Sequence, residues 1–419
     1  VEAPQENTTD RPNILLVLAD DLGFSDLASY GSEIRTPTLD ALAQQGLRFT
    51  NYHTAANCAP ARAMLLTGVD AHMAGVPNIP EMLAPEQRQY SHYQGVLGDN
   101  VVTVATLLEG AGYHTYMAGK WHLGSDPGQL PSQRGFERTV ALADSGADNW
   151  EQRPYIPLYD KANWYADGEE YQLPEDFYSS RFLVDKTIEF IDSNIDDGRP
   201  FFAYLPFQAV HIPVQAPQEF IDRYMGVYDG GWDELREQRR LRATELGIIP
   251  EGIGMERMPT TADWDALSAD QRRFQAKRMA VYAGMIEAMD FYIGRLIDFL
   301  KQRGLYDNTI FIFTSDNGSR EQGEGGDNGP LRGHKGQIWE GGMRVPCMVK
   351  WPGKIKPRSI SSELVTAMDF YPTLAQIVGY HVPAEPIRDG RDVSAIWLGE
   401  PDAKSPYDAF YYYMVDELQ

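Results

Sequence analysis

The sequence predicts a doubly wound α/β fold, a large mixed sheet flanked by helices, and three observations carry that reading. Short, continuously apolar segments alternate with helical patterns, and each apolar segment runs directly into polar residues. The chain is also long enough for one large α/β domain, at 419 residues with 43% apolar and 11% aromatic side chains. Asn13 to Ala19 has the pattern of a strand buried on both faces, and it ends in Asp20-Asp21-Leu22-Gly23. Similar strands are expected at Thr115 to Ala118, Phe201 to Phe207 and Thr309 to Thr314. Helices are expected at Thr38 to Gln45 closed by Gly46, at Val104 to Glu109 closed by Gly110, and at Phe177 to Ser193. A long one, about Ala269 to Arg303, is stopped by Gly304. Sites in such sheets lie at the carboxyl ends of the strands.

Between Pro217 and Arg273 the sequence is charged and weakly periodic, with Arg239, Arg240 and Arg242 among many acids. Residues 217–273 therefore read as a surface insertion in a catalytic domain of residues 1–400. From Gly318 to Gly342 nine of 25 residues are Gly, which marks a loop returning to a strand at Val345 to Trp351. The tail, Phe410 to Val415, reads as an aromatic strand opening an incomplete subdomain over residues 401–419; it is expected to pack on the main domain or pair with another chain. Lys plus Arg number 37 against 60 Asp plus Glu, a net charge of −23, the wrong balance for a nucleic-acid or anionic-membrane partner. No apolar run approaches the roughly 20 residues of a membrane span, the longest being Ala409 to Val415. The chain opens on Val1 without a signal-peptide core, and the polar start Glu2 to Asp10 fits an exported product whose leader was removed. Two cysteines permit at most one disulfide, and Cys347, inside Val345-Pro346-Cys347-Met348-Val349, reads as a small buried hydrophobe.

Chemistry is expected where strands end. Asp20 and Asp21 close the first strand, and Asp316-Asn317 follow the strand at Thr309. Adjacent residues on a strand point to opposite faces, so both carboxylates reach one ion only where the chain turns, and Gly23 and Gly318 are expected to supply the turns. Four oxygen donors, three of them carboxylates, suit Ca²⁺ or Mg²⁺ and not zinc. The alternative is that these side chains merely cap the following turns. Cys58 lies in Asn57-Cys58-Ala59-Pro60-Ala61-Arg62, with Pro60 placed for the first turn of a helix and Gly68 for its end. Cys58 would then sit at the positive end of a helix dipole, one turn before Arg62, a candidate reactive cysteine beside an anion site. Lys120 and His122, in Gly119-Lys120-Trp121-His122-Leu123-Gly124, share a face of an extended segment; His211 follows the strand at Phe201, and Lys335 lies in the Gly-rich loop. Arg62, Lys120 and Lys335 could neutralise an anionic ester while the two imidazoles move protons.

Cys58-x-Pro60-x-Arg62 followed by Leu65-Leu66-Thr67-Gly68, together with Gly119 to Gly124, resembles the type I sulfatases of the alkaline phosphatase superfamily. So do Ala19 to Gly23, Ser315 to Gly318 and Glu340-Gly341-Gly342-x-Arg344-Val345-Pro346. The likeness runs from Pro12 to about Asp392, nearest to bacterial arylsulfatases up to the long helix and as near to the arylsulfatase A group from Asp316 on. It implies an alkaline-phosphatase-like sheet with the start of a small C-terminal antiparallel sheet. It also implies hydrolysis of a small-molecule or glycan sulfate ester through a formylglycine that a formylglycine-generating enzyme makes from Cys58. A metal, Ca²⁺ rather than Mg²⁺, would be held by Asp20, Asp21, Asp316 and Asn317. Arg62 would hold the hydrated aldehyde and Lys120 and Lys335 the sulfate oxygens. His211 would face the leaving oxygen, and His122 would assist regeneration of the aldehyde. A periplasmic or secreted location is implied. The same ion and cations would suit a phosphonate or phosphate ester hydrolase, and an unmodified Cys58 would leave an inactive binding module. Family members continue past the tail strand, whereas this chain ends at Gln419. Asn7-Thr8-Thr9 is a glycosylation sequon, while Asn317-Gly318-Ser319 is better explained by the metal role.

Overall fold

Asn13 to Ala19 forms β1, and all seven residues are buried. Successive strand side chains point to opposite faces, so Leu15, Val17 and Ala19 enter one core while Ile14, Leu16 and Leu18 enter another. That double burial explains a continuously apolar strand. The computed structural model describes residues 11–257, 262–320, 325–382, 384, 387–414 and 417–418. Val1, the polar start Glu2 to Asp10 with its sequon at Asn7, Val415 and Gln419 lie outside the described residues.

The other strands are β2 (Leu47–Phe49), β3 (Tyr52–His53), β4 (His114–Lys120), β5 (Arg138–Leu142), β6 (Trp164–Ala166), β7 (Glu169–Glu170) and β8 (Phe201–Pro206). They continue with β9 (Thr309–Ser315), β10 (Cys347–Lys350), β11 (Ser359–Ser361), β12 (Val365–Thr366), β13 (Tyr413–Met414) and β14 (Glu417–Leu418). Ten of them make one sheet in the order β11-β2-β10-β9-β1-β8-β4-β5-β6-β7. The central run from β9 to β5 is parallel. Antiparallel β6 and β7 close one edge, and β10 enters antiparallel between β9 and β2, so the sheet is mixed.

Helices α1 (Pro37–Gln44), α2 (Cys58–Thr67), α3 (Val104–Gly110), α4 (Ser179–Ser193), α5 (Gln218–Ile221), α6 (Trp232–Glu245) and α7 (Ala269–Gln302) are followed by α8 (Glu340–Met343), α9 (Phe370–Ile377) and α10 (Ser394–Leu398). Leu39 of α1, Leu183 of α4 and Ile286 and Ile293 of α7 fill the core on one face. Leu65 of α2, Leu108 of α3 and Leu374 of α9 fill the other. The doubly wound expectation is met; the strands expected at Asn13, Thr115, Phe201 and Thr309 each begin within a residue of their place, while the one expected from Val345 to Trp351 is β10, which starts two residues later and ends one earlier. β4 runs to Lys120, two residues further than expected, and α4 starts two residues later.

Two expectations gain detail. The charged stretch from Pro217 to Arg273 also sends side chains inward, for Tyr224, Tyr228, Trp232 and Trp264 enter the first core. The buried residues of α6, Trp232, Arg236, Arg239 and Ala243, fall at i, i+4, i+7 and i+11, one helical face, but two of the four are arginines and hydrophobic periodicity cannot see them. Arg239 is 1% exposed on its side chain; its Nη1 donates to Asp26 Oδ1 at 2.6 Å, and Nε and Nη2 donate to the Glu33 carboxylate at 2.8 Å each. Within the described tail only Tyr413–Met414 is strand, paired with Glu417–Leu418; Phe410 and Tyr412, two residues apart and on one side of the chain, both pack their rings on His53, so the segment packs on the main domain as expected.

Replacing Arg239 by Met strands two carboxylates in the core and is expected to cost about 3–5 kcal/mol of stability, read from the urea unfolding midpoint. Arg240→Met, which removes a guanidinium paired only with surface Glu237, is the control and should leave the midpoint nearly unchanged.

Candidate active site

β1, β9, β4 and β8 end side by side, and the backbone ties their ends together. Asp316 N donates to the Ala19 carbonyl at 3.1 Å, Asp20 N to the Ala209 carbonyl at 2.8 Å, and Val210 N to the Asp20 carbonyl at 2.6 Å. The turn that lets Asp20 and Asp21 converge is made by Asp21 itself, whose φ is +61°, a left-handed conformation that Asp tolerates better than most residues. Gly23 and Gly318 therefore do not supply it, and neither has a positive φ. Their role is close approach, since a Cβ at Gly23 would strike the Asp327 carbonyl and one at Gly318 the Gly341 carbonyl.

The ten expected residues come together. Arg62 Nε and Nη2 donate to Asp316 Oδ2 at 3.1 and 2.8 Å, and Nη1 donates to the Lys120 carbonyl at 2.8 Å. Lys120 Nζ donates to Asp20 Oδ2 at 2.5 Å, and Lys335 Nζ to Asp21 Oδ2 at 2.9 Å. Asn317 Nδ2 donates to Asp21 Oδ1 at 2.6 Å. Ligand atoms of Asp20, Cys58 and Asp316 lie within 4.8 Å of one another, and so do those of Asp20, Asp21 and His211. Burial and the Asp316 charge push the Asp20 carboxyl well above its usual range, whereas Asp21, equally buried, is held below it by Lys335 and His211.

Two oxygens test whether a cation fits. Asp20 Oδ1 and Asn317 Oδ1 are buried, and neither has a hydrogen-bond partner among the described residues. Orphaned oxygens cost energy unless something meets them, and oxygen donors from three carboxylates and an amide suit a hard divalent ion. With all three carboxylates ionised, as a bound cation would favour, Asp20, Asp21 and Asp316 balance Arg62, Lys120 and Lys335, −3 + 3 = 0, and a divalent ion would leave +2 to face an anion.

Cys58 opens α2, and Gly68 ends it with a left-handed cap at φ +72°. The Asn57 side chain does not cap the helix; it donates to Asn78 Oδ1 at 2.7 Å, leaving first-turn N–H groups open toward the cysteine. Cys58 Sγ lies 3.3 Å from His122 Nδ1, and His122 is turned inward by a φ of +56°. Burial alone would raise the Cys58 thiol, but Lys120, Lys335 and His122 together bring it down to about 6. His211 donates from Nδ1 to the Ile212 carbonyl at 2.7 Å, which leaves Nε2 facing the site, 3.7 Å from Asp21 Oδ2. Burial and Lys335 lower the pKa of this imidazole, against the pull of Asp21.

Sequence reasoning missed Glu81 and Tyr155. Glu81 Oε2 is 3.6 Å from His122 Nε2, and its other oxygen accepts from the Tyr159 hydroxyl. Against burial, the His122 hydrogen bond and charge hold Glu81 down to about 2. The Tyr155 ring packs edge-on against His211 at 5.3 Å. Glu81 lies in a single 3₁₀ turn, Pro80–Met82, and Tyr155 in an irregular loop, where nothing in the local pattern marks an acid or an aromatic as inward-facing.

Cations gathered around a cysteine, in a chain of net charge −23, make sense for an anionic ester, and the class is that of an ester hydrolase. Residues 12–380 match the family model described as Sulfatase, and the chain belongs to that family. It is 38% identical to an uncharacterized sulfatase of Schizosaccharomyces pombe across 93% of this chain and 79% of that one. It is 34% identical to an arylsulfatase of Klebsiella aerogenes, across 88% and 87%. Among solved structures, Ps i-CgsB in complex with k-i-k-neocarrahexaose has a TM-score of 0.72 at 28% identity, covering 96% of this chain and 78% of that one. The fold is alkaline-phosphatase-like, and the activity is hydrolysis of sulfate esters, favoured over the phosphonate, phosphate and inactive alternatives. No helix among the described residues is long and apolar enough to cross a membrane.

In protein that carries a free thiol at Cys58, thiolate absorbance near 240 nm should therefore rise through about pH 6, against about 8.5 for an ordinary cysteine. Cys347 stays silent because burial holds its thiol well above the usual value. Lys120→Met should move the transition to higher pH, and an unmoved titration would show that the ammonium does not act on the sulfur.

Proposed function

We propose that Cys58 is matured to formylglycine and that this residue, with a Ca²⁺ ion on Asp20, Asp21, Asp316 and Asn317, makes the chain a sulfatase of aryl or glycan sulfate esters. The observation that carries the reading is Cys58 held between His122 and the lysines, beside carboxylates with unpartnered oxygens. Ca²⁺ is favoured by the family resemblance; oxygen ligation by itself fits Mg²⁺ as well. A hydrated aldehyde supplies a nucleophilic oxygen and a second hydroxyl through which sulfate can later be expelled, whereas a thiol would trap the sulfuryl group. The ion supplies positive charge against the sulfate oxygens.

Each side chain then has a task set by its position. Lys120 and Lys335 now donate to Asp20 and Asp21, and with those carboxylates given to an ion each ammonium would have three donors for the sulfate oxygens. Arg62 spends three N–H groups on Asp316 and the Lys120 carbonyl, so two remain for the aldehyde hydrate. His122 receives the proton of the second hydroxyl at Nδ1, and Glu81 steadies the imidazolium from Nε2. His211, with Nδ1 committed to a carbonyl, presents Nε2 to the leaving oxygen, where it would donate as the imidazolium, a form that the negative charge of a bound sulfate ester favours. Aryl esters are supported by the arylsulfatase relative, and glycan esters by the neighbour that binds a hexaose. A formylglycine-generating enzyme is the implied maturation partner, and a periplasmic or secreted location suits such substrates.

Mass spectrometry of the Cys58 peptide from active protein is expected to show an aldehyde residue, and Cys58→Ala should abolish turnover with little change in thermal stability. Substantial activity in Cys58→Ala would end the assignment. Chelation should lower the melting temperature and the activity together, since the ion binds only the folded arrangement of carboxylates. His211→Ala should slow esters of basic alcohols more than those of activated phenols, because general acid catalysis contributes about 10²- to 10⁴-fold where the leaving group needs a proton. Parallel plots of log kcat/KM against leaving-group pKa for wild type and variant would reduce His211 to a positioning role.

A further inference from the structure

We propose that the apolar cavity beside His211 receives the alcohol half of the ester, and that Lys277 and Arg278 select alcohols bearing a second negative charge away from the sulfate. This rests on His211 facing the leaving oxygen. The cavity, about 430 Å³, is lined by Ile212, Val214, Phe274, Lys277, Arg278 and Val281. Ile212 follows His211 and accepts its Nδ1–H at 2.7 Å, so one short segment carries both the group that meets the bridging oxygen and the start of the cavity wall. The opposite wall is the first half of α7. It is anchored near the site by Tyr282, next to Val281, whose hydroxyl donates to Asp26 Oδ2 at 2.8 Å.

The lining is suited to an amphiphile. Phe274 is 62% exposed, a large ring beside three aliphatic side chains. The cations are distinctive by comparison with their neighbours. Elsewhere on α7, Arg272 pairs with Asp265, Arg273 with Asp270, Arg295 with Asp185 and Lys301 with Asp298. Lys277 and Arg278 pair with no carboxylate among the described residues, although acids outnumber bases by 60 to 37. Arg278 instead lies 5.6 Å from the centre of the Phe274 ring, which aligns cation and apolar surface on one cavity. A chain this acidic repels an anionic substrate at long range, so unpaired positive charge at the mouth matters for an alcohol with a carboxylate or second sulfate.

The test compares two aryl sulfates of matched leaving-group acidity, one with a carboxylate on a distal ring and one with the corresponding amide. Wild type is expected to favour the carboxylate in kcat/KM, mainly through KM, with a preference that shrinks as salt is added. Two exposed charge contacts correspond to a fall of about fivefold to tenfold in that ratio for the Lys277→Ala/Arg278→Ala double variant. Lys277→Glu/Arg278→Glu should invert it. An unchanged ratio in both variants would overturn the proposal. A failure of the His211 assignment shows separately, as parallel leaving-group plots with the charge preference intact. Calorimetry of the free carboxylated phenol with Cys58→Ala protein gives a readout independent of turnover: binding weakened by the double alanine variant supports the cavity, and equal binding refutes it.

Discussion

Arg62 is the constraint on which the rest of the site depends. Its guanidinium has no solvent exposure, and a guanidinium cannot shed its charge, so folding must bring it carboxylates or fail. It takes Asp316 from the end of β9 by two hydrogen bonds and the Lys120 carbonyl from the end of β4 by a third. Because it stands one turn after Cys58 on α2, fixing the guanidinium also fixes where the start of that helix points. Strand ends, cysteine and acidic cluster are thereby set by one buried side chain.

The global charge and the local charge then answer different questions. A net −23 is spread over the surface of the protein and is screened within about 8 Å at physiological salt. Inside the cluster the charges stand only a few ångströms apart and out of water, where each pair counts for far more. An acidic protein can thus hold a site for an anion, provided that its carboxylates are matched in place.

The sheet was legible because its strands are buried on both faces, which leaves runs such as Asn13 to Ala19 with no polar residue after the first. The ten site residues were legible for a related reason: chemistry at the end of a buried strand appears as charge abruptly following apolar sequence, as in Ala19-Asp20-Asp21. What escaped was polar burial without such a boundary. The arginine face of α6 carries a helical period in charges rather than in apolar residues, and Glu81, in a short 3₁₀ turn, and Tyr155, in a loop, reach His122 and His211 through tertiary packing. The turn expected of Gly23 and Gly318 lies elsewhere because glycine serves close approach as well as left-handed turns. The aromatic tail misled because alternation cannot be judged in a run where every residue is apolar.

The burial of Cys58, 1% exposed, has a consequence in time as well as in space. The groups that enclose it arrive from distant parts of the chain, Lys120 early and Lys335 last, 335 − 58 = 277 residues after the cysteine itself. At the usual pace of synthesis, about 5–20 residues per second, that leaves an interval on the order of tens of seconds during which the thiol stands on an unclosed chain. Once the Gly-rich loop docks through Lys335 N to the Ser319 carbonyl and Gly336 N to the Ala56 carbonyl, the cysteine is shut inside. Under the proposed maturation, an enzyme that modifies Cys58 would compete with folding for the thiol, and the share of active molecules would be set by that race before the native state exists.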